Sequence, residues 1–383
     1  MNSIGIGLIG TKFMGKVHSR AYRDAIGLFN VEPLPELRVI CGRDDHGTQV
    51  AAERYGWQEH STAWEDVVCR DDVQVIDIST TGNLHAPIAI AAAEQGKHIL
   101  CEKPLANTLA EARTMVRAVE QAGIINTVCF NYRRVPAIAL AKQLIDEGEI
   151  GQVHHWRAVW LEDWALDPET PLVWRFESDK AGSGSLGDLG SHLIDLANFL
   201  VGPIQETIGM TETFIKERPL LPEHQTPQRS RGDVTVDDGA LFLTRFQNGA
   251  LGSFEATRFA GGNRDRFVFE INGSKGSLYF DFQRMNELRF YSSSDPARKQ
   301  GYRTIVVGQA DHPYVGNWWP TGLGLGYDAA FVHTIYDFLN GVAAGESAQP
   351  DFHQGLRVQV ALEAASRSIE ERRWVSVYEI EAL

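Results

Sequence analysis

The first third of the chain alternates short apolar runs with stretches of helical period. Residues 4–9, 37–41, 73–78, 99–101 and 125–130 are mostly apolar with little alternation, the pattern of strands covered on both faces of a parallel sheet. Between them, apolar positions recur at helical spacing after Gly15 through Val17, Ala21 and Ala25, and again over 47–55, 88–95 and 109–122. Strands and helices alternating at this interval predict a doubly wound α/β domain over residues 1–130.

From residue 131 the pattern changes. A helical stretch over 137–147 ends at Gly148, a residue suited to a helix C-cap, and 153–161 reads as a strand. The segments 240–246, 250–257, 267–272, 277–280 and 287–291 are rich in aromatic and branched residues, and turn signals such as Asn248-Gly249 and Gly273 separate them. Short strands joined by hairpins predict an antiparallel sheet. The polar, proline-bearing 215–238 reads as a long surface excursion, and helical period returns over 328–340 and 355–371.

A chain of 383 residues exceeds the usual size of one core, in keeping with two domains, 1–130 and 131–383. Its net charge of -14 argues against a nucleic-acid partner, which calls for a basic face. Cys41, Cys69, Cys101 and Cys129 form no C-x-x-C pair, so neither a zinc site nor a dense disulfide framework is expected. The apolar start lacks a basic lead and a cleavage site and reads as a strand instead of a signal peptide. No apolar run approaches the roughly 20 residues needed to span a bilayer, which leaves a cytoplasmic protein with no membrane partner as the expectation.

Three stretches carry candidate chemistry. Gly10-Thr11-Lys12-Phe13-Met14-Gly15 lies between the first strand and the first helix, where a dinucleotide fingerprint belongs, with Lys12 in place of the middle glycine. Gly10, Lys12, Phe13 and Met14 are cofactor candidates there. The second strand ends in Gly42-Arg43-Asp44-Asp45; an arginine at this point favours the 2′-phosphate of NADP, an inward-turned Asp44 or Asp45 favours NAD, and Arg43 gives a slight lean to NADP. Ser79, Thr80 and His85 follow the 73–78 strand and suit hydrogen bonding to a cofactor. Next, His98-Ile99-Leu100-Cys101-Glu102-Lys103-Pro104 delivers an acid, a base and a proline to a strand's C-terminal end, where open α/β sheets keep their ligand crevice. The proline biases Lys103 toward extended backbone, so its side chain should project from a stiff corner. Third, Asp188 and His192 are four apart on a predicted helix and share a face, with Asp195 near the same side. A carboxylate beside a histidine holds its tautomer and raises its basicity. No further ligand cluster accompanies them, so no metal is expected.

Together the glycine turn, Glu102-Lys103-Pro104, Asn131-Tyr132-Arg133 and Asp188-x-x-x-His192 resemble, in order and setting, the glucose-fructose oxidoreductase/inositol dehydrogenase (Gfo/Idh/MocA) family over almost the whole chain. The chain departs from that pattern at Lys12 and at Thr81-Gly82, both on the cofactor side. The resemblance implies an N-terminal Rossmann domain, a C-terminal α/β domain with a large, mainly antiparallel open sheet, and a homodimer or homotetramer. It also implies an NAD(P)-dependent dehydrogenase that moves hydride between a nicotinamide and a secondary alcohol of a sugar, anhydrosugar or cyclitol. On this basis Lys103 contacts the reacting hydroxyl, His192 exchanges its proton, Asp188 orients His192, and Glu102 and Asn131 lie near the nicotinamide; which of Lys103 and His192 is the formal base stays open. Tyr132, Arg133, Glu162, Asp163, Trp164, Trp174 and Arg175 are candidates for hydroxyl binding and ring contact. Two alternatives share the fold: a dinucleotide- or sugar-sensing protein without turnover, and a lyase or isomerase that recycles a tightly held cofactor.

Overall fold

Six strands build the first sheet of the computed structural model, which describes residues 3–227 and 229–382. They are β1 (Ser3–Ile9), β2 (Leu34–Cys41), β3 (Glu59–Ser61), β4 (Val75–Ile78), β5 (His98–Cys101) and β6 (Asn126–Val128), in the order β3-β2-β1-β4-β5-β6. Every pairing is parallel. Helices α1 (Phe13–Leu28), α2 (Asp45–Tyr55), α3 (Trp64–Val68), α4 (His85–Glu94) and α5 (Leu109–Ala122) make the crossovers. Ile6, Leu8, Val39, Ile76, Ile99 and Leu100 are fully buried, as strands covered on both faces must be. The order reverses between β1 and β4, so the crevice lies off the carboxyl ends of these strands.

The second sheet follows α6 (Pro136–Asp146) and has nine strands. It starts with β7 (Val153–Leu161), after which come helices α7 (Ser178–Ala181), α8 (Ser185–Asp188) and α9 (Gly190–Leu200). Then follow β8 (Ile204–Glu212), a small hairpin of β9 (Glu217–Pro219) and β10 (Arg231–Asp233), β11 (Gly239–Phe246), β12 (Leu251–Thr257), β13 (Arg266–Gly273), β14 (Gly276–Asp281), β15 (Glu287–Ser292) and β16 (Arg303–Val306). The chain ends with α10 (Ala329–Ala344), α11 (Phe352–Glu371), β17 (Val375–Ser376) and α12 (Val377–Glu381). The order is β16-β15-β14-β13-β7-β12-β11-β8-β17, antiparallel except where β7 meets β12. Trp156, Phe246, Phe267, Phe269 and Phe280 fill its inner face.

Two compact units result, Met1–Arg134 with Gly326–Arg357, and Val135–Leu325 with Val358–Leu383. The first unit takes in α10, which packs along α1. Arg134, fully buried, bonds Asp337 through Nε at 2.6 Å and the Gln349 carbonyl at 2.7 Å. The His333 ring meets the Arg134 carbonyl at 2.8 Å.

Two expectations are corrected. The segment 215–238 is more than a surface excursion: it carries the β9–β10 hairpin, and Val234 and Val236 join Ala165, Leu172 and Phe176 in an apolar cluster. Gln228 of that segment lies outside the described residues. The helix expected from Asp188 onward is two helices, α8 and α9, with Leu189 between them.

The start of α8 is pinned from below. The backbone N–H groups of Gly184 and Leu186 each donate to the Asp237 carboxylate at 2.8 Å, and the Ser185 hydroxyl donates to the Asp238 carbonyl at 2.7 Å. A Cβ on Gly184 would lie 1.7 Å from the Asp237 carbonyl oxygen, so only glycine permits this approach. The pin sets where Asp188 and His192 begin. Asp237→Ala removes the acceptor of two backbone donors and is expected to cost about 1–2 kcal/mol. Hydrogen exchange should accelerate over residues 184–192; exchange as slow as in the parent would refute the pin.

Candidate active site

The carboxyl edge of the first sheet is built by close backbone approach. Gly10 has φ +127°, and a Cβ there would lie 2.4 Å from the Ser79 carbonyl oxygen; one on Gly15 would lie 2.0 Å from the Gly10 carbonyl oxygen. These are the first and third glycines of the fingerprint, and they let α1 seat against the strand ends. Lys12 has φ −81°, an angle open to any residue, and its side chain is exposed, as is that of Phe13; Met14 is half-buried. The turn thus holds a lysine in place of the middle glycine at a negative φ, outside the left-handed region that would favour glycine.

At the end of β2, Asp44 caps α2 by accepting from the Gly47 N–H at 2.7 Å, and Asp45 faces the His60 ring at 3.2 Å. Arg43, just before them, is exposed. Half-buried Ser79 and Thr80 follow β4. His85 is buried, its Nδ1 2.9 Å from the Pro104 carbonyl and its Nε2 3.3 Å from the Thr80 carbonyl. Burial lowers its pKa, and a neutral ring donating to Pro104 braces the turn after Lys103. Beyond β6, the side-chain Nδ2 of buried Asn131 has no hydrogen-bond partner among the described residues. An orphaned donor at this edge fits the carboxamide or ribose of a dinucleotide, and the glycine turn fits its phosphates. Tyr132 and Arg133 follow, both buried, with the Arg133 guanidinium donating to Gln354.

Glu102 and Lys103 leave β5 at this edge. The Glu102 N–H donates to the Ile78 carbonyl at 2.9 Å, continuing the parallel ladder by one residue. Its carboxylate is buried and accepts from the Lys103 N–H at 3.1 Å, while Lys103 itself is half-buried. Behind Glu102 stands a residue that sequence spacing did not expose. His18 of α1 is 1% exposed; its Nδ1 lies 2.8 and 3.0 Å from the two oxygens of Asp77, and its Nε2 lies 3.1 Å from Glu102 Oε1. The available signals were faint: Asp77 is an acid inside an apolar run, and His18 shares the buried face of α1 with Gly15, Ala21, Tyr22 and Ala25. His18, Glu102 and Cys129 bring ligand atoms within 4.8 Å of one another. Both ring nitrogens are already spent on carboxylates, and burial pushes the Cys129 thiol up to about 12, so the trio is a poor cation site.

The second unit assembles a different set. Asp188 closes α8 and His192 stands in the first turn of α9. Asp188 accepts from Arg258 Nη2 at 2.8 Å, with Arg175 Nε at 4.0 Å; Arg258 is fully buried and was not anticipated. The His192 ring is buried and stacks on Trp160 at 5.2 Å, which in turn stacks on Phe267 at 4.9 Å. Asp195, also buried, lies one turn further along α9.

At the end of β7, Glu162 accepts from Trp164 Nε1 at 2.6 Å. Burial, then a hydrogen bond with Asp265 and the nearby charge of Asp188, push the Glu162 carboxyl up to about 7. Asp163 instead takes the Gly262 N–H at 3.3 Å and faces Arg264 at 3.6 Å. The Arg175 guanidinium lies 4.4 Å over the Trp174 ring, and that of Arg258 lies 5.2 Å over the partly exposed Trp164. Acids, arginines and indole rings side by side can meet both hydroxyls and C–H faces of a polar ring.

Comparison with known proteins agrees with both units. Residues 4–130 match the model of an oxidoreductase family with an NAD-binding Rossmann fold, and residues 138–279 match the Gfo/Idh/MocA C-terminal domain. Levoglucosan dehydrogenase of Pseudarthrobacter phenanthrenivorans is 42% identical over an alignment of 391 positions that spans 100% of both chains. A crystal structure of an oxidoreductase domain protein from Kribbella flavida is 50% identical with a TM-score of 0.95, over 98% of this chain and 100% of that one. A levoglucosan dehydrogenase in complex with NADH and levoglucosan is 42% identical with a TM-score of 0.94, over 98% and 99%. With both of its domain models matched in order and a dehydrogenase relative aligned from end to end, the chain belongs to the Gfo/Idh/MocA family of NAD(P)-dependent oxidoreductases acting on CH–OH groups.

Proposed function

We propose that this protein is an NAD-dependent dehydrogenase of levoglucosan or a closely similar pyranose, with Lys103 and His192 handling the proton. The observation that carries the reading is the full-length 42% identity to a levoglucosan dehydrogenase. When bound, the dinucleotide supplies the hydride acceptor. Glu102 holds the Lys103 backbone at the end of β5, which directs an ammonium or amine toward a sugar hydroxyl. Lys103 and His192 are the two groups assigned to take up the hydroxyl proton, and which of them is the formal base stays open. Asp188, held by Arg258, is assigned the orienting role toward His192. Asn131 has the free donor that a nicotinamide carboxamide requires.

Cofactor choice is assigned to NAD. Asp44 and Asp45 both stand at the end of β2, and Asp44 is held there by its bond to the Gly47 N–H. A fixed carboxylate accepts from ribose hydroxyls and repels a 2′-phosphate, and this outweighs one exposed arginine. The outer face of the second sheet exposes Met210, Leu241, Leu243 and Leu251 on β8, β11 and β12, which favours a homo-oligomer covering that face.

Lys103→Ala and His192→Ala are each expected to lower kcat on levoglucosan about 10²–10⁴-fold while dinucleotide binding persists. Full turnover in either variant would remove its assigned role, and binding without turnover in the parent across a sugar panel would favour a sensor. Fluorescence titration should find NADH bound at least about tenfold more tightly than NADPH, a gap of roughly 1.4 kcal/mol; the reverse order would return the weight to Arg43. Glu162 supplies a test in pH. Its carboxyl keeps a proton up to about 7 in the fold against an ordinary value of 4.5. The stability it contributes is complete below 4.5 and is lost as pH rises through 7. Glu162→Gln, which stays neutral, should raise the denaturation midpoint by a few degrees at pH 8 and by much less at pH 5. An equal effect at both pH values would contradict the shift.

A further inference from the structure

Two buried histidines support the Glu102–Pro104 turn, and their partners differ in kind. His85 meets two backbone carbonyls. A neutral ring has one N–H, and the contact at 2.9 Å uses it. His18 meets two carboxylates, Asp77 through Nδ1 and Glu102 through Nε2. Ionised carboxylates only accept, so a ring bonded to both must donate from both nitrogens. From this geometry we infer that His18 is a permanently protonated clamp that positions Glu102, and through it Lys103, for the reaction. The inference rests on the reading that Lys103 works at the reacting hydroxyl.

The clamp explains an otherwise unfavourable arrangement. Asp77 and Glu102 are 0% and 5% exposed, and an uncompensated buried carboxylate costs several kcal/mol. One imidazolium between them offsets the pair to a net single negative charge. The groups that face the ring are Asp77 from β4, Glu102 after β5 and Cys129 after β6; Tyr22, one turn along α1, adjoins Asp77, and from α10 the Phe331 ring lies at 5.5 Å. Burial pulls the His18 pKa down, but Asp77, through its charge and its hydrogen bond, with Cys129 adding to both effects, carries it well above the ordinary 6.5. Glu102 uses one carboxylate oxygen on His18 and the other on the Lys103 N–H. Rotating that carboxylate therefore moves the lysine backbone. Position at this corner is set by α1, the helix that also carries the dinucleotide turn, so cofactor turn and Lys103 share one support.

The test uses His18→Gln, His18→Gln with Asp77→Asn, and Lys103→Ala, each assayed on the full-length protein. In the single variant the carboxamide donates to Glu102 but turns its oxygen toward Asp77, so the clamp is broken. Its kcat should fall about a hundredfold, as for a misplacement near 1 Å, with sugar KM and NADH affinity within a few fold of the parent. In the double variant the amide introduced at position 77 donates to the oxygen of the carboxamide at position 18, whose own NH₂ donates to Glu102. The chain of donors is restored with the cluster's net charge unchanged, and kcat should return to within about tenfold of the parent. Parent-like kcat in His18→Gln would overturn the clamp, as would a loss that the double variant leaves in place. Should His18→Gln fail to fold, ¹⁵N spectra of the histidine rings in the parent decide: the ring with contacts to Phe331 must carry protons on both nitrogens at pH 8, and a neutral ring there overturns the inference. Active Lys103→Ala would sink the reading on which the clamp rests; inactive Lys103→Ala with parent-like His18→Gln would sink the clamp alone.

Discussion

How closely α1 approaches the carboxyl edge of the parallel sheet is decided by one contact, Gly15 against the Gly10 carbonyl. A single extra carbon at residue 15 would sit 2.0 Å from that oxygen and push the helix outward. Because the contact is backbone on backbone, it cannot yield as a side chain would. His18 lies one turn further on, and its reach to Asp77 and Glu102 depends on the same spacing. The glycine turn is thus more than a seat for phosphates. It sets the distance between a helix and three strand ends, and the buried charges are arranged around that distance.

The second unit solves its own positioning problem with aromatic layers. Trp160 on β7 lies between the His192 ring and Phe267 of β13, so one side chain links the helix to the sheet. A stacked, buried imidazole has its plane fixed. Arg258 does the corresponding work for Asp188. Fully buried, that guanidinium also donates to the Arg175 carbonyl at 3.2 Å, which ties the end of β12 to the segment before α7. Both sheets place chemistry where strands run out, the first with charge and the second with rings.

Five strands of the parallel sheet were readable because strands buried on both faces leave continuous apolar runs, and their ends moved, as with β2, whose pairing with β1 extends back to Leu34 through Pro35; the short edge strand β3, Glu59-His60-Ser61, has no apolar run and went unread. β7 was read to the residue. β8 went unread, since its open face lets Gln205, Glu206 and Thr211 interrupt any alternation. The break at Leu189 went unread too, because Asp188 through Leu200 keeps helical period across it. Within the candidate site, the place of Glu102 and Lys103 at the end of β5 was legible because residue type and position occupy one stretch. Their support was not. His18 is 84 residues from Glu102, and Arg258 is 70 from Asp188; such partners become neighbours only through the crossovers, and no spacing in the chain records them.

The first unit is assembled from two separated pieces of chain, Met1–Arg134 and Gly326–Arg357. Arg134 waits, fully buried in the finished fold, for Asp337, which is translated after the whole of 135–325. At ordinary rates of synthesis that interval is roughly ten to forty seconds. During it the parallel sheet exists without α10, and the α1 surface that α10 covers stays open. Birth on the ribosome therefore passes through an exposed nucleotide-binding fold, the stage at which a bound dinucleotide or a chaperone has the most to shield.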